Sequence, residues 1–146
     1  MAAKIEAIKD AVAKAGADLF VNARSDVFLA SLVEKVKQPQ EAIARGNLYA
    51  SAGADGLFLP ALVRLSDIEA IVGATRLPLN VMAFPGLPDA ATLGKLGVRR
   101  LSAGSAISQV LLGRAKAMTQ DFLAHGRSES LDDNPLSYAE IQRLFA

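Results

Sequence analysis

The tetrapeptide Ala-Gly-Ala-Asp occurs twice, at residues 15–18 and 52–55, and each copy stands between a stretch of helical periodicity and a short apolar run. Glycine ends a helix without the steric cost that other residues meet in a left-handed cap, and a compact apolar run suits a strand covered on both faces. The chain therefore repeats a joint that stops a helix and starts a strand, and its fold must alternate the two elements. Ahead of the first copy, Ile5, Ile8, Ala11, Val12 and Ala15 recur every three or four residues between Lys4, Glu6, Lys9, Asp10 and Lys14, the pattern of an amphipathic helix. Behind it, Leu19–Ala23 reads as a strand buried on both faces. The second copy closes a helix from Glu41 to Ala52, with Ala42, Ile43 and Leu48 on its apolar stripe, and opens the strand Gly56–Pro60. Between these units, Ser25–Gln40 loses its periodicity and carries Pro39, so it reads as a long loop with a helical turn inside it.

The alternation continues twice more. Ser66-Asp67 can cap a helix through Ile68, Ile71 and Val72, and Asp89 opens a further helix that Gly97 closes. A long helix from Ala106 to Ala124, a polar link with Pro135 and an amphipathic helix from Ser137 to Phe145 follow. The organisation is a series of βα units over 1–127, with strands near 19–24, 56–60, 77–83 and 98–102, then a link and carboxy-terminal helix over 128–146. Strands joined by helices run parallel, because a helical crossover returns the chain to the same end of the sheet. The fold class is α/β. Two architectures accommodate such strands: an open doubly wound sheet, or half of a (β/α)8 barrel, which in full takes about 250 residues. The first strand ends in Asn22-Ala23-Arg24-Ser25-Asp26, without the glycine-rich turn by which a dinucleotide-binding sheet approaches a pyrophosphate. The leading helix, moreover, has the natural role of joining an earlier strand to the first one seen, so a preceding strand is expected.

Composition narrows the function classes. With 16 basic against 15 acidic residues and 5% aromatic residues, the chain has neither the charged footprint nor the stacking surface of a nucleic-acid binder. The absence of cysteine and a single histidine, His125, argue against thiolate or histidine-rich metal sites. No apolar run approaches the roughly 18 residues of a membrane span, and Met1-Ala2-Ala3-Lys4 leads into charge. A cytoplasmic protein without nucleic-acid or membrane partners is expected.

Asn22-Ala23-Arg24-Ser25-Asp26, Ala52-Gly53-Ala54-Asp55-Gly56-Leu57-Phe58, Pro78-Leu79-Asn80-Val81 and Gly97-Val98-Arg99-Arg100-Leu101-Ser102, in that order, resemble the isocitrate lyase and phosphoenolpyruvate mutase superfamily, in its phosphonomutase-like branch. Their spacing corresponds to the fifth through eighth strands of that family's barrel, and nearly the whole chain is covered. The resemblance implies the parallel four-stranded, carboxy-terminal half of a (β/α)8 barrel with carboxy-terminal helices. It also implies a magnesium-dependent enzyme that acts on small 2-oxo acids or phosphonates, making or breaking a C–C or C–P bond through an enolate-like species. A divalent cation suits that chemistry by stabilising the charge that develops on the enol oxygen. The family's metal ligands lie on earlier strands, and its mobile loop is absent here too, so no metal ligand and no certain catalytic residue is expected in this chain. Lyase members carry a glutamate just after the second strand seen here. Leu59-Pro60-Ala61 has none, which speaks against isocitrate-type or methylisocitrate-type cleavage.

The same resemblance singles out substrate-binding candidates. Arg24 ends its strand at the carboxyl face, where a parallel barrel meets its ligands, and a guanidinium can grip a carboxylate or phosphonate with paired donors. The alternative is a structural bridge to Asp26. Asn80 matches a family asparagine near the substrate; its amide could orient an oxo or carboxylate oxygen, or satisfy neighbouring backbone. Asn22 is a further candidate, and Asp26 is expected to cap a loop or helix. Gly104 and Ser105, ahead of the long helix, could offer N–H donors to a phosphoryl group, with Ser102 or Ser105 as an ordinary helix cap the alternative. His125 suits a helix C-terminus by charge alone, and Arg99 and Arg100 alternate across a strand, so at most one faces the barrel interior.

A half barrel leaves two strand edges and its interior uncovered. The chain is thus expected to form a homo-oligomer or to bind a missing amino-terminal half; the family resemblance implies that the helix over 137–145 could exchange between subunits, and folding back on its own chain is the alternative. Three functions follow: an enzyme half competent only when complemented, a non-catalytic fragment that self-associates, and a complete small doubly wound ligand-binding domain.

Overall fold

Both Ala-Gly-Ala-Asp joints form as their glycines dictate. Gly16 and Gly53 take φ of +62° and +94°, a region that glycine enters without a Cβ penalty. The Ala17 and Ala54 amides then donate back to the carbonyls of Val12 and Tyr49, closing the two helix ends. In this computed structural model, which describes residues 1–145, the chain forms two compact units, Met1–Gly104 and Ser105–Ala146. The first runs α1 (Ala2–Lys14), β1 (Asn22–Arg24), a 3-10 turn (Lys35–Lys37), α2 (Gln38–Ser51), β2 (Gly56–Phe58), α3 (Leu65–Ala74), β3 (Leu79–Met82), α4 (Ala90–Lys95) and β4 (Arg100–Ser102).

The four strands are parallel and lie in sequence order, β1-β2-β3-β4. Right-handed crossovers repeated in one direction put every connecting helix on the same side of the sheet. The core agrees: Ile5 of α1, Ala42 and Tyr49 of α2, Ile68 and Ile71 of α3 and Leu93 of α4 cluster with Ala23, Leu57, Leu79 and Val81 of the strands. A doubly wound sheet needs a reversal of strand order to place helices on both faces, and this order has none. The doubly wound alternative is therefore set aside, and the singly wound arrangement of a barrel segment stands. Glycine also determines how closely the layers approach, since a Cβ on Gly46 of α2 would stand 2.8 Å from Leu57 Cδ2 of β2.

Several expected boundaries shift for identifiable reasons. Leu19 and Phe20 are 49% and 64% exposed rather than buried, because the ladder begins only at Asn22 and β1 is an edge strand with a single neighbour. Helix α2 starts at Gln38, three residues before the expected Glu41; Pro39 falls in its first turn, where a missing N–H removes no helical bond. Ser66 and Asp67 lie inside α3 instead of capping it, and the cap position is Arg64, whose Nε is 3.7 Å from the Asp67 carboxylate. Asp89 does cap α4, accepting from the Thr92 amide at 2.8 Å.

The second unit consists of α5 (Ala106–His125), a 3-10 turn (Glu129–Asp132) and α6 (Tyr138–Arg143). Ser137 and Glu140 form a reciprocal capping box at the start of α6, which is shorter than the expected 137–145. At the end of α5, Asp121 accepts from Arg127 and lies 3.0 Å from His125 Nδ1, so its carboxyl titrates below the usual range, chiefly through Arg127. No described helix is long and apolar enough to cross a membrane.

Asp55, the acid of the second joint, ties three elements together. Its carboxylate accepts from Lys9 Nζ of α1 at 2.5 Å and from the Val21 amide ahead of β1 at 2.7 Å, and these bonds hold its pKa below the ordinary value. The folded chain thus binds this proton less readily than the unfolded chain. The resulting stabilisation is complete above the unfolded pKa of about 3.9 and is lost as pH falls through the lower folded value. Asp55→Asn is expected to lower stability by about 1 kcal/mol at neutral pH. Urea denaturation from neutral to acid pH should show the variant and the native chain converging below that range.

Candidate functional site

Parallel register places alternate residues of neighbouring strands on one face. The pairs Arg24↔Phe58, Phe58↔Asn80 and Asn80↔Arg100 run as a single row across the sheet, on the side opposite the core. Asn22, Met82 and Ser102 share that side.

Arg24, the last residue of β1, is held on two sides. Its Nε donates to Asp26 Oδ1 at 2.6 Å, and its guanidinium carbon stands 5.7 Å from the centre of the Phe58 ring. An aromatic face and a carboxylate restrain the plane of the group while both Nη atoms remain without a protein partner among the described residues. Such an edge can give two parallel hydrogen bonds to a carboxylate or phosphonate. The bridge to Asp26 and an unpartnered Nη edge thus coexist in one side chain. The expectation that Asp26 caps a loop or helix is corrected: its carboxylate is engaged by Arg24, two residues away, where the strand end brings both to the same surface.

Asn80 is 4% exposed, and its Oδ1 is buried without a hydrogen-bond partner. Asn22 lies against β2, its Oδ1 standing 2.9 Å from where a Cβ on Gly56 would be. Both asparagines line a cavity of about 340 Å³ with Phe20, Gly56, Arg99 and Arg100, toward the amino ends of the strands. Arg24 does not line it. The structure therefore gathers Asn22 and Asn80 around one hollow and leaves Arg24 at the opposite strand end, joined to Asn80 through Phe58 in the row. A larger hollow of about 620 Å³ lies where α2 and α3 end, beside Asn47, Arg76 and Leu77, away from Arg24.

Gly104 ends the first unit and Ser105 begins the second. A Cβ on Gly104 would stand 2.5 Å from Met82 Sδ, and its φ is +57°, so packing and backbone both call for glycine there. Ser105 occupies the cap position of α5 with no side-chain capping bond, and Ser102 Oγ instead donates to the Val81 carbonyl at 3.4 Å. Ser105 thus stands at the helix cap as the sequence allowed, without a side-chain bond, and Ser102 is no cap. After β2, Ala61 holds a left-handed φ of +63°, a strained setting for an alanine. Sequence reasoning passed over Phe58 and Ser25. Only strand register brings Phe58 to Arg24, whereas Ser25, buried with an unpartnered hydroxyl, sits inside the strand-end motif itself. Among the described residues, no group of three or more His, Cys, Asp or Glu side chains could hold a metal ion.

A singly wound parallel sheet in sequence order is the arrangement of a segment of a (β/α)8 barrel. Residues 1–123 match the phosphoenolpyruvate phosphomutase family, and the chain belongs to it. An uncharacterized protein of Mycobacterium tuberculosis is 36% identical over 104 residues, covering 71% of this chain and 37% of that protein. The crystal structure of a candidate phosphonomutase from Burkholderia cenocepacia is 38% identical with a TM-score of 0.75, covering 82% of this chain and 49% of that one. A candidate lyase/mutase of the same species is 27% identical with a TM-score of 0.85, covering 99% and 51%. Phosphonopyruvate hydrolase, crystallised with oxalate and magnesium, is 27% identical with a TM-score of 0.71, covering 99% and 50%. The chain thus spans about half of these solved structures and little over a third of the curated relative.

The Asp26 bond makes a specific prediction. In Asp26→Asn the Arg24 Nε–H loses a charged acceptor, and its solvent exchange, followed by ¹⁵N-detected NMR, should accelerate about tenfold. Equal rates in both proteins would show that the bond does not restrain the guanidinium.

Proposed function

We propose that this chain is the carboxy-terminal half of a magnesium-dependent, cytoplasmic enzyme of the phosphonomutase and lyase type, acting on small 2-oxo acids or phosphonates and inactive until complemented. The observation that carries this reading is the free Nη edge of Arg24 at the carboxyl end of β1. In this family's fold, that is the end at which ligands meet the strands.

Arg24 would bind the substrate's carboxylate or phosphonate with two donors, its orientation preset by Asp26 and Phe58. Asn80, one strand beyond Phe58 and lining the hollow toward the amino ends of the strands, is retained as a candidate to direct its amide at an oxo or carboxylate oxygen. Gly104 and Ser105 are retained as candidate N–H donors to a phosphoryl group, and Asn22 as a more distant polar contact. Among the described residues no three or more acidic or histidine side chains come together as a metal cradle. The ion would be held mainly by acidic residues outside this chain. When bound, magnesium would stabilise negative charge on an enolate oxygen. The leucine-proline-alanine sequence after β2, without a carboxylate, favours phosphonate chemistry or hydrolysis over isocitrate-type cleavage.

Two titrations test this reading. Methylphosphonate should perturb the Arg24 side-chain NMR signals of the isolated chain in the millimolar range, and Arg24→Ala should abolish saturable binding. A response that survives in Arg24→Ala would remove Arg24 from the site. Calorimetry with magnesium and oxalate together should show no stoichiometric uptake by the chain alone; tight binding would place the metal ligands within it.

A further inference from the structure

The carboxyl ends of β2, β3 and β4 differ in chemistry from the arginine they adjoin. The segments that leave these strands, 59–63, 83–88 and 103–104, hold no charged residue and no side chain that donates a hydrogen bond. The ladder runs one residue past Met82, since the Ala83 amide donates to the Ser102 carbonyl at 2.7 Å. The period of two then sets Phe84 on the side of Asn80 and Met82, opposite the core. Phe84 is 42% exposed, a large apolar side chain left open to water at the end of the sheet where ligands meet a parallel barrel. Met82 is partly buried, its sulfur lying in the space that a side chain on Gly104 would need. One strand nearer Arg24 stands Phe58, whose ring faces the guanidinium carbon at 5.7 Å.

Phe58, Met82 and Phe84 therefore form an apolar strip that starts at the Arg24 guanidinium and runs across β2 and β3. We infer that this strip is a substrate subsite, and that the molecule bound by Arg24 carries, beyond its anionic group, an uncharged alkyl or aryl substituent of about four carbons, enough to cross the ~4.8 Å from one strand to the next. Aromatic rings and a thioether suit such a group: the rings offer large flat contact areas, and the unbranched methionine adapts to irregular shapes. A second carboxylate in the same place would give up its water without gaining a cation or a side-chain donor from the three exit segments. The inference rests on the proposed binding of a carboxylate or phosphonate by Arg24 and deepens it by naming what the rest of that molecule carries.

Two phosphonates that differ only in this substituent provide the test. Each methylene taken from water adds about fourfold to affinity, and about half of that free energy is gained on an open face. In titrations of the 146-residue chain followed at the Arg24 side-chain NMR signals, butylphosphonate should therefore bind roughly eightfold more tightly than methylphosphonate. Phosphonopropionate, which sets a carboxylate where butylphosphonate has alkyl carbon, should bind no more tightly than methylphosphonate. Phe84→Ala should reduce the butyl preference to about twofold or less, and Phe84→Leu, which keeps an apolar side chain, should retain most of it. Equal affinity for butylphosphonate and methylphosphonate, tighter binding of phosphonopropionate than of butylphosphonate, or a preference undiminished in Phe84→Ala would overturn the apolar subsite while leaving anion binding by Arg24 in place. Absence of a response to every phosphonate would instead remove the Arg24 reading, and the subsite with it.

Discussion

The order of the strands governs everything else in the first unit. Each helix returns the chain to the sheet with the same hand and in the same direction, so all of the apolar helix faces arrive on one side and a single core forms there. The opposite side is left to whatever the alternating residues of the strands happen to be, and those are largely polar: Asn22, Arg24, Asn80, Arg100 and Ser102. Chain topology thus separates the residues that hold the fold together from the residues available for recognition. The Asp55 clamp serves the first role, because by joining α1, the approach to β1 and the start of β2 it determines where the ladder begins. Where the ladder begins determines, through the period of two, which side Arg24 faces.

Arg24 illustrates how few contacts suffice to restrain a guanidinium at a strand end. A guanidinium on a flexible side chain loses rotational freedom when it grips an anion, and that loss weakens binding. The Phe58 ring and the Asp26 carboxylate impose part of the restriction beforehand, at the cost of a neighbouring negative charge that reduces the pull on an incoming anion. With half of the side chain exposed, solvent screens both effects. Covering the face would exclude that solvent and strengthen every interaction in the row at once.

Much of this was legible in the sequence where a local rule acts alone. The helix-ending glycines, the Asp89 cap, the parallel alternation and the strand-end placement of Arg24 each follow from residue type and spacing. The family resemblance extended that reading to the barrel half, and the match over residues 1–123 agrees with it. The failures occurred where tertiary context overrides composition. Leu19 and Phe20 look like a buried strand, yet an edge position gives them no second neighbour. Pro39 looks like a break, yet one register of the helix places it where it costs nothing. Phe58 and Arg100 could not be assigned to the Arg24 row at all, because cross-strand register is not written in any single segment.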